Sequence, residues 1–158
     1  MHTETLLPVR KNNHAIVDFD LYQKYKSFTW WLSTHGYAKT DVYKNGKRRT
    51  VFLHQEIMGK KEGFEIDHIN GNRLDNRREN LRFVTRSQNN MNARKRGNTT
   101  SKYKGVSFHK ERKKWRAYIF VRNKQISLGL FDNERDAALA YNTRANIEFG
   151  EYARLNVI

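Results

Sequence analysis

The sequence predicts an α+β protein in which a small β-rich module leads into a strand-loop-strand-helix unit, followed by a three-stranded antiparallel sheet packed on one helix. The dipeptide Asn45-Gly46 between two apolar runs is a strong hairpin signal. Residues 64–95 hold two short apolar runs separated by a turn-rich loop. Residues 114–122 alternate apolar and polar side chains with the period of a strand. At 158 residues the chain can form one ordinary domain or two small ones.

The beginning of the chain is predicted to form the β-rich module. Strands are expected at residues 14–17, 36–43 and 48–53, with a short helix at residues 20–28. The last two strands flank Asn45-Gly46, so they should pair as a hairpin.

Residues 64–95 place a carboxylate and an imidazole side by side. Asp67 and His68 end the first apolar run, and Asn70-Gly71 follows them as a turn. Adjacent side chains on a strand point to opposite faces, so both can serve one site only where a strand end or turn redirects them. Asn80 lies in the loop, where its amide can bond backbone groups and fix the loop.

These residue types suit hydrolysis of a phosphodiester. Aspartate and asparagine oxygens are hard ligands for magnesium, manganese or calcium. Neutral imidazole is the natural base near pH 7. The reaction needs an activated water and a cation that neutralises charge on the phosphate. The unit is therefore predicted to hold one divalent metal beside a general base.

The composition is strongly basic. The chain carries 31 Lys and Arg against 16 Asp and Glu, a formal net charge of +15, and both halves share the excess. Such chains bind nucleic acid or an anionic membrane surface. No run approaches the ~18 apolar residues of a transmembrane span, and the N-terminus lacks signal-peptide features, so we expect no membrane partner and a cytoplasmic location. Because there is no cysteine, disulfides and thiolate zinc sites are excluded.

A basic linker is predicted at residues 96–101, in a segment without acidic residues. Its composition around Gly97 is typical of a linker. We interpret Arg94, Lys95 and Arg96 as side chains that follow the DNA backbone.

Residues 102–158 are predicted to form a separate module. Strands are expected at residues 104–109, 114–122 and 125–131, with a turn at Asn123-Lys124. A helix follows, because Asn133 is a good N-cap and an aspartate stands three residues later.

The middle strand of this module has two different faces. One face carries Trp115, Ala117, Ile119 and Val121, which should pack on the alanine-rich side of the helix. The other face carries the basic and aromatic side chains Arg116, Tyr118, Phe120 and Arg122. An uncovered basic and aromatic sheet face is typical of a nucleic-acid-binding surface.

Residues 50–54, 67–72, 75–82 and 88–92 together resemble the HNH endonuclease family, in particular its phage and homing-endonuclease branch. The resemblance implies a ββα-metal fold over about residues 64–95 and a nuclease domain over residues 1–95. It also implies a divalent metal and cleavage of double-stranded DNA, in a bacterial or phage-infected cell.

The same resemblance implies roles for single residues. His68 would be the general base, Asp67 and Asn89 the ligands of one metal ion, and Asn80 the asparagine that orients the loop. Asn89 is preferred to its neighbour Asn90, the alternative one position along, because Gln88-Asn89 matches the family's Glu-Asn pair. Asparagine at this position, where the family often has histidine, favours Mg²⁺ or Mn²⁺ over zinc.

His54 matches a histidine that often precedes the motif in this branch. It is interpreted either as a phosphate or metal contact or as a packed structural residue.

The C-terminal module resembles the apetala/ethylene-response-factor DNA-binding domain at residues 101–106, 114–117, 127–131, 137–141, Gly150 and 155–156. That family lays its sheet in the DNA major groove. The expected DNA contacts are Lys104, Ser107, His109, Arg116, Tyr118, Arg122 and Lys124. Because Ser107, His109, Gln125 and Ser127 stand near the family's base-contacting positions, a different target sequence is expected.

The function predicted from sequence is a metal-dependent, homing-type DNA endonuclease with a C-terminal targeting module. It should act as a monomer without an obligate protein partner and nick one strand, because one metal site holds one phosphodiester. The alternative is a sequence-specific DNA-binding regulator with a vestigial nuclease fold. A ribonuclease or RNA-binding module is less favoured, since the sheet suits the major groove of B-form DNA.

Overall fold

The computed structural model describes residues 5–93, 95, 97 and 100–158 and confirms the predicted α+β class. The chain divides into two compact units, Met1–Arg86 and Ser87–Ile158. In the described part of the chain, no helix is long and apolar enough to cross a membrane.

The first unit begins with a hairpin that the sequence only half predicted. Residues 14–17 lie in a strand as expected, but their partner at residues 5–9 was not predicted, because Pro8 interrupts the strand pattern. A helix at residues 53–58 was also missed, and the strand before it ends one residue earlier than expected. The elements are β1 (Thr5–Val9), β2 (Asn13–Val17), α1 (Phe19–Tyr25), β3 (Trp31–Leu32), β4 (Ala38–Lys44), β5 (Lys47–Phe52) and α2 (Leu53–Met58).

The core of this unit lies between the first hairpin, α1 and α2. Leu7, Val9, Ala15 and Val17 alternate inward from the two strands and pack with the fully buried Trp30. Strands β3, β4 and β5 form a separate antiparallel sheet, in that order. Its β4–β5 hairpin turns at Asn45 and Gly46 with φ of 52° and 69°, which confirms the hairpin prediction.

The strand-loop-strand-helix prediction is confirmed in element order. Strand β6 (Glu65–His68) pairs antiparallel with β7 (Leu81–Val84), so that Asp67 lies opposite Arg82 and His68 opposite Leu81. A 3₁₀ turn at Arg78–Asn80 ends the loop between them. Helix α3 (Arg86–Asn92) follows β7.

The second unit contains the predicted three-stranded sheet and helix. Strands β8 (Val106–His109), β9 (Lys114–Val121) and β10 (Lys124–Phe131) are antiparallel, with β9 in the middle. Helix α4 (Glu134–Phe149) is capped by Asn133, whose Oδ1 accepts from the Asp136 backbone N–H at 2.9 Å. The predicted turn at Asn123-Lys124 is wrong by one residue, since Arg122 and Asn123 hold the two positive-φ positions.

The apolar face of β9 packs on α4 as the alternation predicted. Ala117 packs with Ala137 and Ala138, and Ile119 packs with Tyr141 and Ala145. Small residues on the helix let it approach the sheet closely.

The structure divides the chain after the first residue of α3, between Arg86 and Ser87, whereas the sequence placed the boundary after residue 95. The physical reason is Met91, which packs against the second unit's apolar cluster of Ile119, Tyr141, Ala145 and Phe149. Helix α3 therefore belongs to the C-terminal unit by its contacts.

Candidate active site

Asp67 and His68 are both buried, with 7% and 4% of their surfaces exposed. Arg82, across the β6–β7 pair, donates to Asp67 Oδ2 from Nε at 3.1 Å and from Nη2 at 3.0 Å. Ligating carboxylates in proteins are commonly held in this way by a neighbouring donor. Arg82 thus fixes the orientation of the Asp67 carboxylate, a pairing that no sequence pattern indicated.

His68 lies in a group of rings that the chain brings together from distant positions. Its ring centroid is 5.3 Å from that of His54 and 5.8 Å from that of Tyr37. Tyr37 contacts His54 at 4.9 Å, and Phe52 lies 5.8 Å from His54. The structure therefore places His54, the possible accessory residue, directly against the predicted base.

Both imidazoles are driven toward the neutral form. Burial, helped by the nearby His68, lowers the pKa of His54 to about 4. Burial also lowers the pKa of His68, although a hydrogen bond with Asn76 and the charge of Asp67 oppose the shift. A neutral imidazole at pH 7 can accept a proton, as a general base must.

Two buried nitrogens beside His68 lack a partner among the described residues. They are His54 Nδ1 and Asn76 Nδ2. Asn76 Oδ1 lies 3.5 Å from His68 Nε2, a long hydrogen bond within a buried environment. Asn76 was missed from the sequence because its turn composition looked like ordinary loop chemistry.

Asn80 holds the two ends of the loop together. Its Oδ1 accepts from the Asn70 backbone N–H at 3.0 Å, and its Nδ2 donates to Asn70 Oδ1 at 3.1 Å and to the Asp75 carbonyl at 2.8 Å. The buried Asp75 carboxylate in turn accepts from Arg77 Nη2 at 2.7 Å and Asn70 Nδ2 at 2.8 Å. Although burial opposes it, the hydrogen bond from Arg77 lowers the pKa of Asp75.

The loop is also anchored to the first hairpin. Ile16 donates its backbone N–H to the Leu74 carbonyl at 2.8 Å and accepts from the Asn76 N–H at 2.7 Å. Arg78 donates to Asp18 at 3.1 Å and to Asp20 at 2.6 Å. Backbone pairing at two adjacent points fixes the loop relative to the core of the first unit.

The donor chemistry fits a hard divalent cation. Asp67 and Asn89 offer carboxylate and amide oxygens, the atoms that magnesium and manganese prefer. Within the described residues, no group of three or more His, Cys, Asp or Glu forms a metal cluster. Magnesium keeps several waters and takes ligands from substrate phosphate, so few protein ligands are needed. Asn89 and its alternative Asn90 both lie on α3.

The sheet of the second unit exposes the face predicted to contact DNA. Ser107 lies opposite Arg116 in the β8–β9 register, and these two residues with His109 line a cleft of about 400 Å³. The Arg116 guanidinium lies 5.2 Å from the centre of the Tyr118 ring, and Phe120 is 57% exposed. Arg116 Nε is buried without a partner among the described residues.

Other predicted DNA contacts have different surroundings. Lys104 Nζ donates to the carbonyls of Met91 and Ala93 at 2.7 and 2.8 Å, so its ammonium is engaged within the second unit. Lys95 Nζ donates to the Ser101 carbonyl. Lys124 is exposed at the start of β10, and Arg122 lies in the turn rather than on the strand face. Arg94 and Arg96 lie outside the described residues.

The β6–β7 hairpin, with its buried Asp-His pair and its asparagine-held loop, defines an HNH-type nuclease motif. The HNH endonuclease family model matches residues 58–91. An HNH endonuclease of Acanthamoeba polyphaga mimivirus is 31% identical over 157 residues, covering 98% of this chain and 80% of that protein. The chain belongs to the HNH endonuclease family and is a DNA endonuclease.

Two phage proteins are also similar. Protein 3.8 of Escherichia phage T7 is 36% identical over 93 residues, covering 59% of this chain and 76% of that protein. DNA endonuclease I-HmuI of Bacillus phage SP01 is 33% identical over 77 residues, covering 46% of this chain and 44% of that protein. A solved structure of I-HmuI, described as DNA binding and cleavage by this HNH homing endonuclease, matches with a TM-score of 0.39 and 28% identity, covering 49% of this chain and 45% of that one.

Proposed function

We propose that this protein is a homing-type endonuclease that uses one divalent metal ion to hydrolyse a single DNA strand near a preferred site. The main support for this proposal is the buried pair of Asp67 and His68. Arg82 orients the Asp67 carboxylate, and burial lowers the pKa of His68. The similarity to I-HmuI, named as an HNH homing endonuclease, supports the homing class. The phage relatives support action on DNA in an infected host cell.

In this proposal His68 is the general base. Its neutral ring accepts the proton of the water that attacks the phosphorus. The P–O3′ bond breaks, and the departing 3′-oxygen takes a proton from solvent to give the 3′-hydroxyl. Asn76 Oδ1 lies 3.5 Å from His68 Nε2 and is proposed to orient the ring from that side. Asn80 keeps the loop folded so that the strand carrying His68 ends in a fixed position.

Asp67 and Asn89 would hold the metal ion, with Mg²⁺ or Mn²⁺ favoured by their oxygen donors. When bound, such an ion neutralises charge on the scissile phosphate and on the leaving oxygen. Arg82 keeps Asp67 oriented for this task through its two hydrogen bonds.

The second unit is proposed to be an apetala/ethylene-response-factor type module that reads double-stranded DNA. Arg116 and Tyr118 form a stacked pair on the open sheet face, and Ser107 and His109 line the adjacent cleft. A sheet in the major groove reads base edges, and basic side chains around it hold phosphates. Lys124 and Arg122 at the hairpin end are proposed phosphate contacts.

A plasmid assay tests the proposed reaction. Supercoiled plasmid should convert first to the nicked form with Mg²⁺ or Mn²⁺, and EDTA should abolish this conversion. His68→Ala should slow cleavage about 100-fold or more while DNA affinity changes little, because the base contacts no phosphate. His14→Ala, at an exposed histidine of β2, is the matched control. Metal-independent cleavage, or normal cleavage by His68→Ala, would refute the proposal.

The number of strands cut depends on how many sites act together. One metal site on a monomer engages one phosphodiester, so a nick with a 5′-phosphate and a 3′-hydroxyl is the proposed product. Denaturing gels with each strand labelled separately decide the question. Equal and simultaneous cleavage of both strands at low enzyme concentration would indicate a dimer instead.

A further inference from the structure

Helix α3 is too short to be stable alone. It has seven residues, with no acidic side chain in its first turn and no basic side chain in its last turn. Isolated helices of this length are marginal, and their last carbonyls lack intrahelical partners. The order of α3, and with it the position of Asn89, must therefore come from contacts outside the helix.

Lys104 supplies one of these contacts. Its ammonium donates to the Met91 and Ala93 carbonyls at 2.7 and 2.8 Å, where the helix ends. A cation at a helix C-terminus satisfies free carbonyls and opposes the helix dipole. Lys104 is not in the strand face that is proposed to read DNA, since it precedes β8 and points to α3.

The Lys104 backbone is itself held firmly. Its N–H donates to Asn156 Oδ1 at 2.7 Å, and its carbonyl accepts from Asn156 Nδ2 at 3.1 Å. Asn156 is tied to Asn142 of α4 by two hydrogen bonds, at 2.7 and 2.8 Å. A continuous set of contacts therefore runs from α4 through the C-terminal segment to the end of α3.

Apolar packing supplies the second contact. Met91 of α3 packs against the cluster of Ile119, Tyr141, Ala145 and Phe149. Burial lowers the pKa of Lys104 to about 8, as expected for an ammonium enclosed by such packing. Packing and hydrogen bonds both attach α3 to the C-terminal unit.

We propose that Lys104 is a positioning residue that holds α3, and with it the proposed metal ligand Asn89, in place. This inference rests on the proposed function, because it takes Asn89 as a ligand. Without the Lys104 hydrogen bonds the end of α3 would be less ordered, and Asn89 would be less available to bind the metal ion.

The test uses the full chain with Lys104→Met, which keeps the aliphatic stem and removes the ammonium. Lys102→Met, at an exposed lysine nearby, removes the same charge and is the matched control. Three quantities are measured: hydrogen exchange of the α3 amides without metal, Mn²⁺ affinity of the DNA complex by calorimetry under non-cleaving conditions, and DNA affinity. Lys104→Arg serves as the conservative variant.

Loss of two charge-assisted hydrogen bonds should speed exchange of the α3 amides and weaken Mn²⁺ binding, each about 10-fold or more. DNA affinity should change no more than in Lys102→Met, and Lys104→Arg should recover most of the Mn²⁺ affinity. Unchanged α3 exchange or unchanged Mn²⁺ affinity in Lys104→Met would overturn the inference. If Lys104→Met does not fold, Met91→Ala releases the same helix from its packing and must give the same losses.

Asn89→Ala separates this inference from the proposed function. If Asn89→Ala weakens Mn²⁺ binding and Lys104→Met does not, Lys104 is not a positioning residue although the nuclease assignment stands. If neither Asn89→Ala nor Asp67→Asn changes Mn²⁺ binding, the proposed metal site itself is wrong.

Discussion

Replacing His54 with phenylalanine should stabilise the first unit. His54 is 7% exposed, and its Nδ1 is buried without a partner among the described residues. Leaving such a group unsatisfied costs about 1–3 kcal/mol, so an apolar ring of similar shape should raise the free energy of unfolding by about 1 kcal/mol at pH 7.5. The neighbouring Tyr37 and Phe52 rings offer apolar contacts to the new side chain.

The stability advantage of His54→Phe over wild type should grow as the pH falls. In the folded protein the pKa of His54 is lowered to about 4 from 6.5, so the folded state binds fewer protons than the unfolded state between these values. The stability that depends on neutral His54 is therefore fully present above pH 6.5, and it is lost as the pH falls toward 4. The difference of 2.5 pKa units corresponds to about 3 kcal/mol. His54→Phe lacks this loss, and His68 titrates in both proteins.

Urea unfolding of wild type and His54→Phe at several pH values between 7.5 and 4 measures both effects. The gap between them should widen from about 1 to about 4 kcal/mol over this range. A gap that stays constant with pH would refute the conclusion that His54 is buried in its neutral form. His54→Leu guards against overpacking by the larger ring. Cleavage at pH 7.5 decides the role: a slower variant indicates a phosphate or metal contact, and an unchanged rate indicates a packing residue.

Three further predictions concern the site and the second unit. Asp67→Ala should lower the free energy of unfolding by about 3 kcal/mol because Arg82 loses its buried partner, and Asp67→Asn should lose much less in the same urea titration; equal losses would contradict the pairing. Gly105→Ala should cost about 2–4 kcal/mol, since its Cβ would lie 2.1 Å from a tyrosine ring of α4 at φ of +73°. Gly150→Ala, at φ of +52° with open space around the added Cβ, should lose only the stability that the strained backbone costs. Thermal unfolding of both variants measures the losses, and equal losses would exclude the clash. DNA affinity should fall steeply as the salt concentration rises. If Arg116 contacts a phosphate, Arg116→Ala should reduce the slope of log K against log salt by about 1, whereas an unchanged slope would indicate a base contact.

Local chemistry made several elements predictable from the sequence. Asn45-Gly46 supplies the positive φ angles of a tight hairpin, and Asn133 caps α4 through its own side chain. The alternation around Ala117 identified the buried and open faces of β9. In each case the deciding interaction lies within a few residues or within one strand.

Non-local contacts account for what the sequence did not predict. Arg82 orients Asp67, and Tyr37 packs on His68, from positions that no spacing rule connects to the Asp-His pair. The structural division between Arg86 and Ser87 differs from the boundary expected after residue 95, because Met91 packs on Ile119 and on residues still later in the chain. Sequence patterns identified the reactive groups, but the structure was needed to show what orients them.

The attachment of the loop to β2 means that the family motif is smaller than the piece of chain needed to fold it. Arg78 and Asp18 meet across 60 positions in sequence, and Ile16 pairs with residues 74–76. The motif match begins only at residue 58. The loop therefore takes part of its support from a hairpin about 60 positions earlier in the chain. A protein that lacks residues 1–20 would keep every proposed reactive group, but it would lose the hairpin residues that the loop contacts.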